Sequence, residues 1–238
     1  MTFQSQQNND FLSVKEADRI VIEYYTDPLC CWSWAFEPHW QKLLHQFEGE
    51  ISYTHYMGGL ISDWNSYQDP MNAINRPAQL GPLWLEVSQV TNAVIDPAIW
   101  VEDPPTSSYP ACIAVKSVEM QSKEAAEKYL YKLREAVMTK KQNIARPEVL
   151  SAIAQNFSKE NPDLLNYNQF LEDISGEKSV QLFKNDLQKV RYNRIGRFPT
   201  LTIHKPGQTG IILTGYRPYE VLLQAISVVA PELVNGVN

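Results

Sequence analysis

The residues with the most chemical potential in this 238-residue chain lie together in Asp27-Pro-Leu-Cys-Cys-Trp-Ser-Trp-Ala-Phe-Glu-Pro38. Two of the chain's three cysteines, Cys30 and Cys31, are adjacent there, and Ser33 stands three residues after Cys30. A thiol at the start of a helix faces backbone N–H groups without intrahelical partners and the positive end of the helix dipole. Both favour the thiolate, the nucleophile of disulfide exchange, so the position predicts a Cys30 sulfur with a lowered pKa. Ser33 holds the place from which a second sulfur would resolve a mixed disulfide; its hydroxyl can hydrogen-bond a thiolate but forms no disulfide. Asp27 pulls the other way, since a nearby carboxylate raises a thiol's pKa. The bland reading makes Cys30 and Cys31 small core residues, free cysteine being among the most buried types. Cys112, on an apolar stripe, reads as core, and a vicinal Cys30–Cys31 disulfide would be strained because adjacent Cα atoms are only about 3.8 Å apart.

The flanking pattern shows what must position this segment. Arg19 to Thr26 is β-branched and aromatic, with apolar residues side by side, which suits a strand buried on both faces. Phe36, Trp40, Leu43, Leu44 and Phe47 recur at helical spacing around Pro38, a residue that kinks helices. Ile51, Tyr53, His55 and Met57 mark a second strand ending at Gly58-Gly59, which reads as a strand-end turn. From about 70 to 195 the pattern is almost wholly helical, with Pro147 and Pro162 placed as helix starts. Phe198–Ile203 and Ile211–Thr214 then form a hairpin around Lys205–Gly210, and Tyr219–Val229 closes as an amphipathic helix. The order βαβ, helical block, ββα predicts one α/β sheet interrupted by an insertion, because the opening βαβ alone is too small to bury its faces. The expected boundaries are 19–69 and 193–230 for the two parts of the sheet domain and 70–192 for the helical insertion.

Composition narrows the function classes. A chain that is 44% hydrophobic and 20% charged is ordinary for a packed globular protein. Net charge −6 lacks the basic footprint of a nucleic-acid binder. Residues 1–18 read as a mobile polar lead-in without the apolar run of a secretory signal, and no stretch approaches the roughly 20 apolar residues of a membrane span. The expectation is a cytoplasmic protein, where a cysteine pair is more often reactive than structural. His39, His45, His55 and His204 show no ligand spacing, so no metal site is predicted.

The segment D-P-L-C-C-W-S-W-A-F-E-P resembles the D-P-x-C-P-W-C-W start of DsbA-like thioredoxin-fold proteins, the FrnE-type predicted dithiol–disulfide isomerases in particular. Tyr109-Pro-Ala-Cys-Ile-Ala-Val-Lys116, Gly196-Arg-Phe-Pro-Thr-Leu201 and Gly215-Tyr-Arg-Pro-Tyr-Glu220 agree with it, so the resemblance covers about residues 20–230. It implies a thioredoxin-like fold with a large inserted all-helical domain. It also implies a cis Phe198-Pro199 peptide facing the active cysteine, where the backbone of Phe198 pairs with a bound chain; the residues alone favour a trans proline at a strand start. Two departures stand inside the motif: Cys31 replaces proline, altering the redox poise, and Ser33 replaces the resolving cysteine.

The leading reading is a thiol–disulfide oxidoreductase or isomerase working through Cys30 as a monothiol, with Ser33 and the helix-start N–H groups steadying the charge. Phe198 and Pro199 would orient the substrate chain. Trp32 and Trp34 would either stack on it or pack between helix and sheet. The partners implied are a disulfide-containing protein or a small thiol, with no permanently bound cofactor and glutathione as a co-substrate; neither nucleic acid nor membrane is implied. Two other readings use the same architecture. One is a kappa-class glutathione transferase or chromene-carboxylate isomerase, in which serine stands where this chain has Cys30. The other is a non-redox adaptor that hands a protein to a protease.

Overall fold

Apolar residues that run side by side need cover on both faces, and in the computed structural model Ile20–Thr26 (β1) lies inside the sheet. The structure describes residues 19–69 and 72–235; the lead-in read at 1–18 lies outside them. Strand β1 pairs in parallel with Ile51–Met57 (β2) and antiparallel with Thr200–His204 (β3), which pairs antiparallel with Ile211–Thr214 (β4). The order is β2-β1-β3-β4. One face, carrying Ile20, Ile22, Tyr24, Leu201 and Ile203, packs on Phe36, Trp40 and Leu43 of the crossover helix Cys31–Gln46 (α1) and on Leu222 and Ile226 of Tyr219–Val229 (α9). Each such side chain contributes roughly 1.5–3 kcal/mol relative to exposure, before entropy is counted. The fold is α/β and thioredoxin-like, as the sequence predicts.

Among the described residues seven α-helices run between β2 and β3: Leu80–Thr91 (α2), Ile99–Glu102 (α3), Tyr109–Glu119 (α4), Lys123–Lys140 (α5), Pro147–Glu160 (α6), Tyr167–Ser175 (α7) and Glu177–Tyr192 (α8). A short helix, Pro231–Asn235 (α10), follows α9. The seven enclose a second core in which Trp84, Trp100, Tyr129, Leu133, Phe157 and Phe170 are buried. Local chemistry sets the helix ends: Ser122 caps α5 by accepting from Ala125 N–H, and Asn166 caps α7 by accepting from Gln169 N–H. Pro147 is the first residue of α6. Pro162 instead lies in the turn before α7, because the Asn166 cap delays that helix to Tyr167.

Buried charges stitch the block to the sheet. Arg134 of α5 pairs with Glu37 of α1 at 2.8 Å, both buried, and also donates to Thr26 Oγ1 at the end of β1. Helix α8 crosses the other sheet face, where Asp186 accepts from Met57 N–H at 2.9 Å and pairs with Lys116 at 3.2 Å. Burial pushes the Asp186 carboxyl up to about 6, with Lys116 and the Met57 N–H opposing. Its unfolded value is about 4, so between these values the folded chain binds more protons than the unfolded one, and stability falls as pH rises from about 4 to about 6. The expected contribution is on the order of 3 kcal/mol. Urea midpoints across that range should show the decline, and Asp186→Asn should flatten it; an unchanged slope in the variant would refute the assignment.

Candidate functional site

Cys30 sits where β1 has ended and α1 begins. It is the N-cap of α1 (φ −80°, ψ 107°), and its sulfur accepts from Ser33 N–H at 3.4 Å. From the far end of the sequence the loop before β3 comes alongside, and the Cys30 S–H donates to Phe198 O at 3.4 Å. The Phe198-Pro199 peptide bond is cis. Gly58 makes room for this loop, since a Cβ there would lie 1.9 Å from the Phe198 ring. Gly59 adopts φ +62°, in the left-handed region that favours glycine, and a Cβ on it would meet Leu187 and Tyr109. The pair is therefore more than a strand-end turn: it lets strand, loop and helical block close around one point.

Beneath the sulfur lies a buried polar network. Asp27, fully buried, accepts from Leu29 N–H at 2.8 Å, Leu60 N–H at 2.7 Å and Ser108 Oγ–H at 2.9 Å, with the Cys112 thiol at 3.5 Å. One carboxyl thus ties the start of α4 to the strand–helix junction. On helix α1, Trp32 contacts the ring of Tyr216 (centroids 6.0 Å), whose hydroxyl hydrogen-bonds His39 at 2.8 Å. Burial lowers the His39 pKa, which favours its neutral form.

The electrostatic balance at Cys30 comes out opposite to the sequence expectation. The residue is 5% exposed, and burial pushes its thiol up; the Ser33 hydroxyl and N–H oppose the shift, Asp27 adds to it and Arg134 opposes it. Ser33 Oγ is buried beside the sulfur without making a directed hydrogen bond in this thiol state. The helix start does point donors at Cys30, but the cost of placing an anion in a covered site exceeds what they return. Cys31 and Cys112 are buried in the helical core and pushed further up by the same cause.

A thioredoxin family model matches residues 24–224. The chain belongs to the thioredoxin family. Among curated relatives of this thioredoxin-family chain is the ClpXP adapter protein SpxH of Halalkalibacterium halodurans. It is 28% identical over 216 residues, which span 89% of this chain and 69% of the relative. Other curated relatives, 23–27% identical, carry the same name. Among solved structures, a Nitrosomonas europaea protein provisionally named a protein disulfide isomerase has a TM-score of 0.73 at 22% identity, covering 88% of this chain and 97% of that one. The cytosolic disulfide reductase DsbM of Pseudomonas aeruginosa has a TM-score of 0.63 at 17% identity, covering 81% and 88%. At these identities the likeness establishes the DsbA-like fold.

Within this thioredoxin-family site, Cys30, Ser33, Phe198 and Pro199 come together. Cys31 does not join them, being packed in the core one residue on. Trp32 stays half-buried near Tyr216, whereas Trp34 is tied to the block by its Nε1–H, which donates to Val94 O at 3.0 Å. His55 packs against Tyr24 and Trp40, half-buried, with its pKa pushed down to about 3 by desolvation. Sequence reading missed Ser108, Tyr216 and the Arg134–Glu37 pair. A signal existed for the last: Arg134 falls on the apolar stripe of Leu130, Leu133 and Val137, where a cation needs a buried partner. Among the described residues no group of three or more His, Cys, Asp or Glu could hold a metal ion, and no helix is long and apolar enough to cross a membrane.

Proposed function

We propose that this chain is a polypeptide-docking protein of the adapter kind, which holds a partner against the face around Phe198–Pro199 without using the covered Cys30 sulfur and does not run a dithiol cycle. The state of the Cys30 sulfur carries this reading. It is covered, its thiol is raised by burial, its S–H is engaged with Phe198 O, and a serine stands where a resolving sulfur would be. Attack on a disulfide requires a thiolate, and closing the cycle requires a second thiol. What the face offers instead is shape: a backbone held by Gly58, a half-buried Trp32–Tyr216 edge, and a frame locked by Asp27. The adapter name carried by the curated relatives supports the same direction.

A second reading has one observation in its favour. Ser33 N–H donates to the sulfur, and that contact strengthens when the sulfur is anionic. In this reading the Cys30 thiolate attacks one sulfur of a protein or glutathione disulfide, the other sulfur leaves as a thiolate, and an outside thiol later frees Cys30. A complementation experiment separates the two. Deleting the gene should raise the abundance of particular proteins, and Cys30→Ala should restore their turnover as well as the wild type does. If Cys30→Ala behaves like the deletion while remaining folded, the adapter reading is wrong and the thiol is essential.

A further inference from the structure

On the opposite sheet face from α1, helix α8 covers β2 and β1 but leaves β3 and β4 open, and Ile212 is 63% exposed. Strand β4 has a neighbour on one side only. Gly215 N–H donates to Pro199 O at 2.8 Å, and the facing pairs run from Thr200↔Thr214 to Ile203↔Ile211. In an antiparallel ladder, alternate residues turn both backbone polar groups toward the partner strand and the others turn theirs away. Ile211 and Leu213 therefore bond to β3, which leaves the N–H and C=O of Ile212 and Thr214 on the free edge. Such an edge is a template for another strand. Beside it runs an open groove of about 440 Å³ lined by Thr200, Ile212, Thr214 and the 193–197 segment.

The charge on that segment is distinctive. Between Leu187 and Phe198 the chain carries Lys189, Arg191, Arg194 and Arg197 and no acidic residue, within a protein of net charge −6. Lys189 is turned to Glu23 at 2.8 Å, while Arg191, Arg194 and Arg197 are exposed. Arg194 has φ +54°, a left-handed position just beyond α8 where glycine is the usual residue. A cation stands there despite the backbone cost.

We propose that the β4 edge and its groove dock an extended acidic segment of a partner protein, which adds as a fifth strand. Its backbone would pair with Ile212 and Thr214, and its carboxylates would lie against Arg194 and Arg197, which line the groove. A strand supplies the hydrogen-bond partners that the edge lacks, and the acidic side chains match the arginines of the groove wall. Nucleic acid would match the arginines but not the free N–H and C=O row. The surface does not involve Cys30, so this inference stands apart from the reading of the thiol.

The test is fluorescence anisotropy on the full chain with a short labelled peptide alternating valine and glutamate, set against its valine–lysine counterpart and a single-stranded oligothymidylate. The glutamate peptide should bind tightest, and Arg194→Glu should weaken it about tenfold at low salt, less at high salt. Ile212→Pro removes an outward N–H, which an edge strand tolerates, and should weaken binding comparably without lowering the unfolding midpoint by more than a few degrees. Should that variant misfold, hydrogen exchange in the wild-type chain decides: the Ile212 and Thr214 amides should slow when the peptide is bound. Failure of the glutamate peptide to bind, equal or tighter binding of the lysine peptide or the oligonucleotide, or unchanged exchange at those amides under saturating peptide would each overturn the proposal.

Discussion

Arg134→Met should lower the unfolding free energy by about 3–5 kcal/mol at neutral pH, the cost of leaving one member of a buried ion pair alone. The side chains of Arg134 and Glu37 are 1% and 6% exposed and meet at 2.8 Å. Gln41 also donates to Glu37, at 2.9 Å, but a neutral amide does not replace a guanidinium. Folded domains have only about 5–15 kcal/mol in total, so the loss would be conspicuous in urea denaturation. Two controls identify its origin. Arg134→Met/Glu37→Leu should recover most of the stability, because an apolar pair of similar volume carries no desolvation penalty. The single variant should also lose less below about pH 4, where its stranded Glu37 is protonated in both states. A single-variant loss below about 1 kcal/mol, typical of an exposed pair, would mean that the two charges are solvated.

Native alkylation of Cys30 should be at least about tenfold slower than that of glutathione at neutral pH, because both ionisation and access are disfavoured. Burial raises the thiol first, and Asp27 adds to it. The rate should climb about tenfold per pH unit up to and beyond pH 9, the dependence of a thiolate formed from a high-pKa thiol. Ser33→Ala should shift the climb further up, since the Ser33 hydroxyl is among the groups that favour the anion. Peptide mapping by mass spectrometry under native conditions gives the rate for each cysteine. If Cys30 instead labels faster than glutathione at neutral pH, helix-start stabilisation outweighs burial and the disulfide-exchange reading regains first place.

These expectations could not all have come from the residues alone. The strands β1 and β2 and the hairpin around 205–210 were legible because period-two and side-by-side apolar patterns report which faces are buried. Pro162 misled because a proline tolerates both a turn and a first helical residue, and the Asn166 cap four residues on decided between them. Gly58-Gly59 looked like punctuation; its role lies in the Phe198 ring, which arrives from 140 residues away in sequence.

By itself the sequence determined the order of elements, the sheet with its helical insertion, and the placing of Cys30 at the head of a helix, since all of these follow from short-range pattern and from motif. Only the tertiary structure decided the ionisation of that sulfur, the buried company of Asp27 and Arg134, and the open edge of β4. The physical reason is that a pKa or an unpaired edge depends on what covers a group, and the covering residues come from distant parts of the chain.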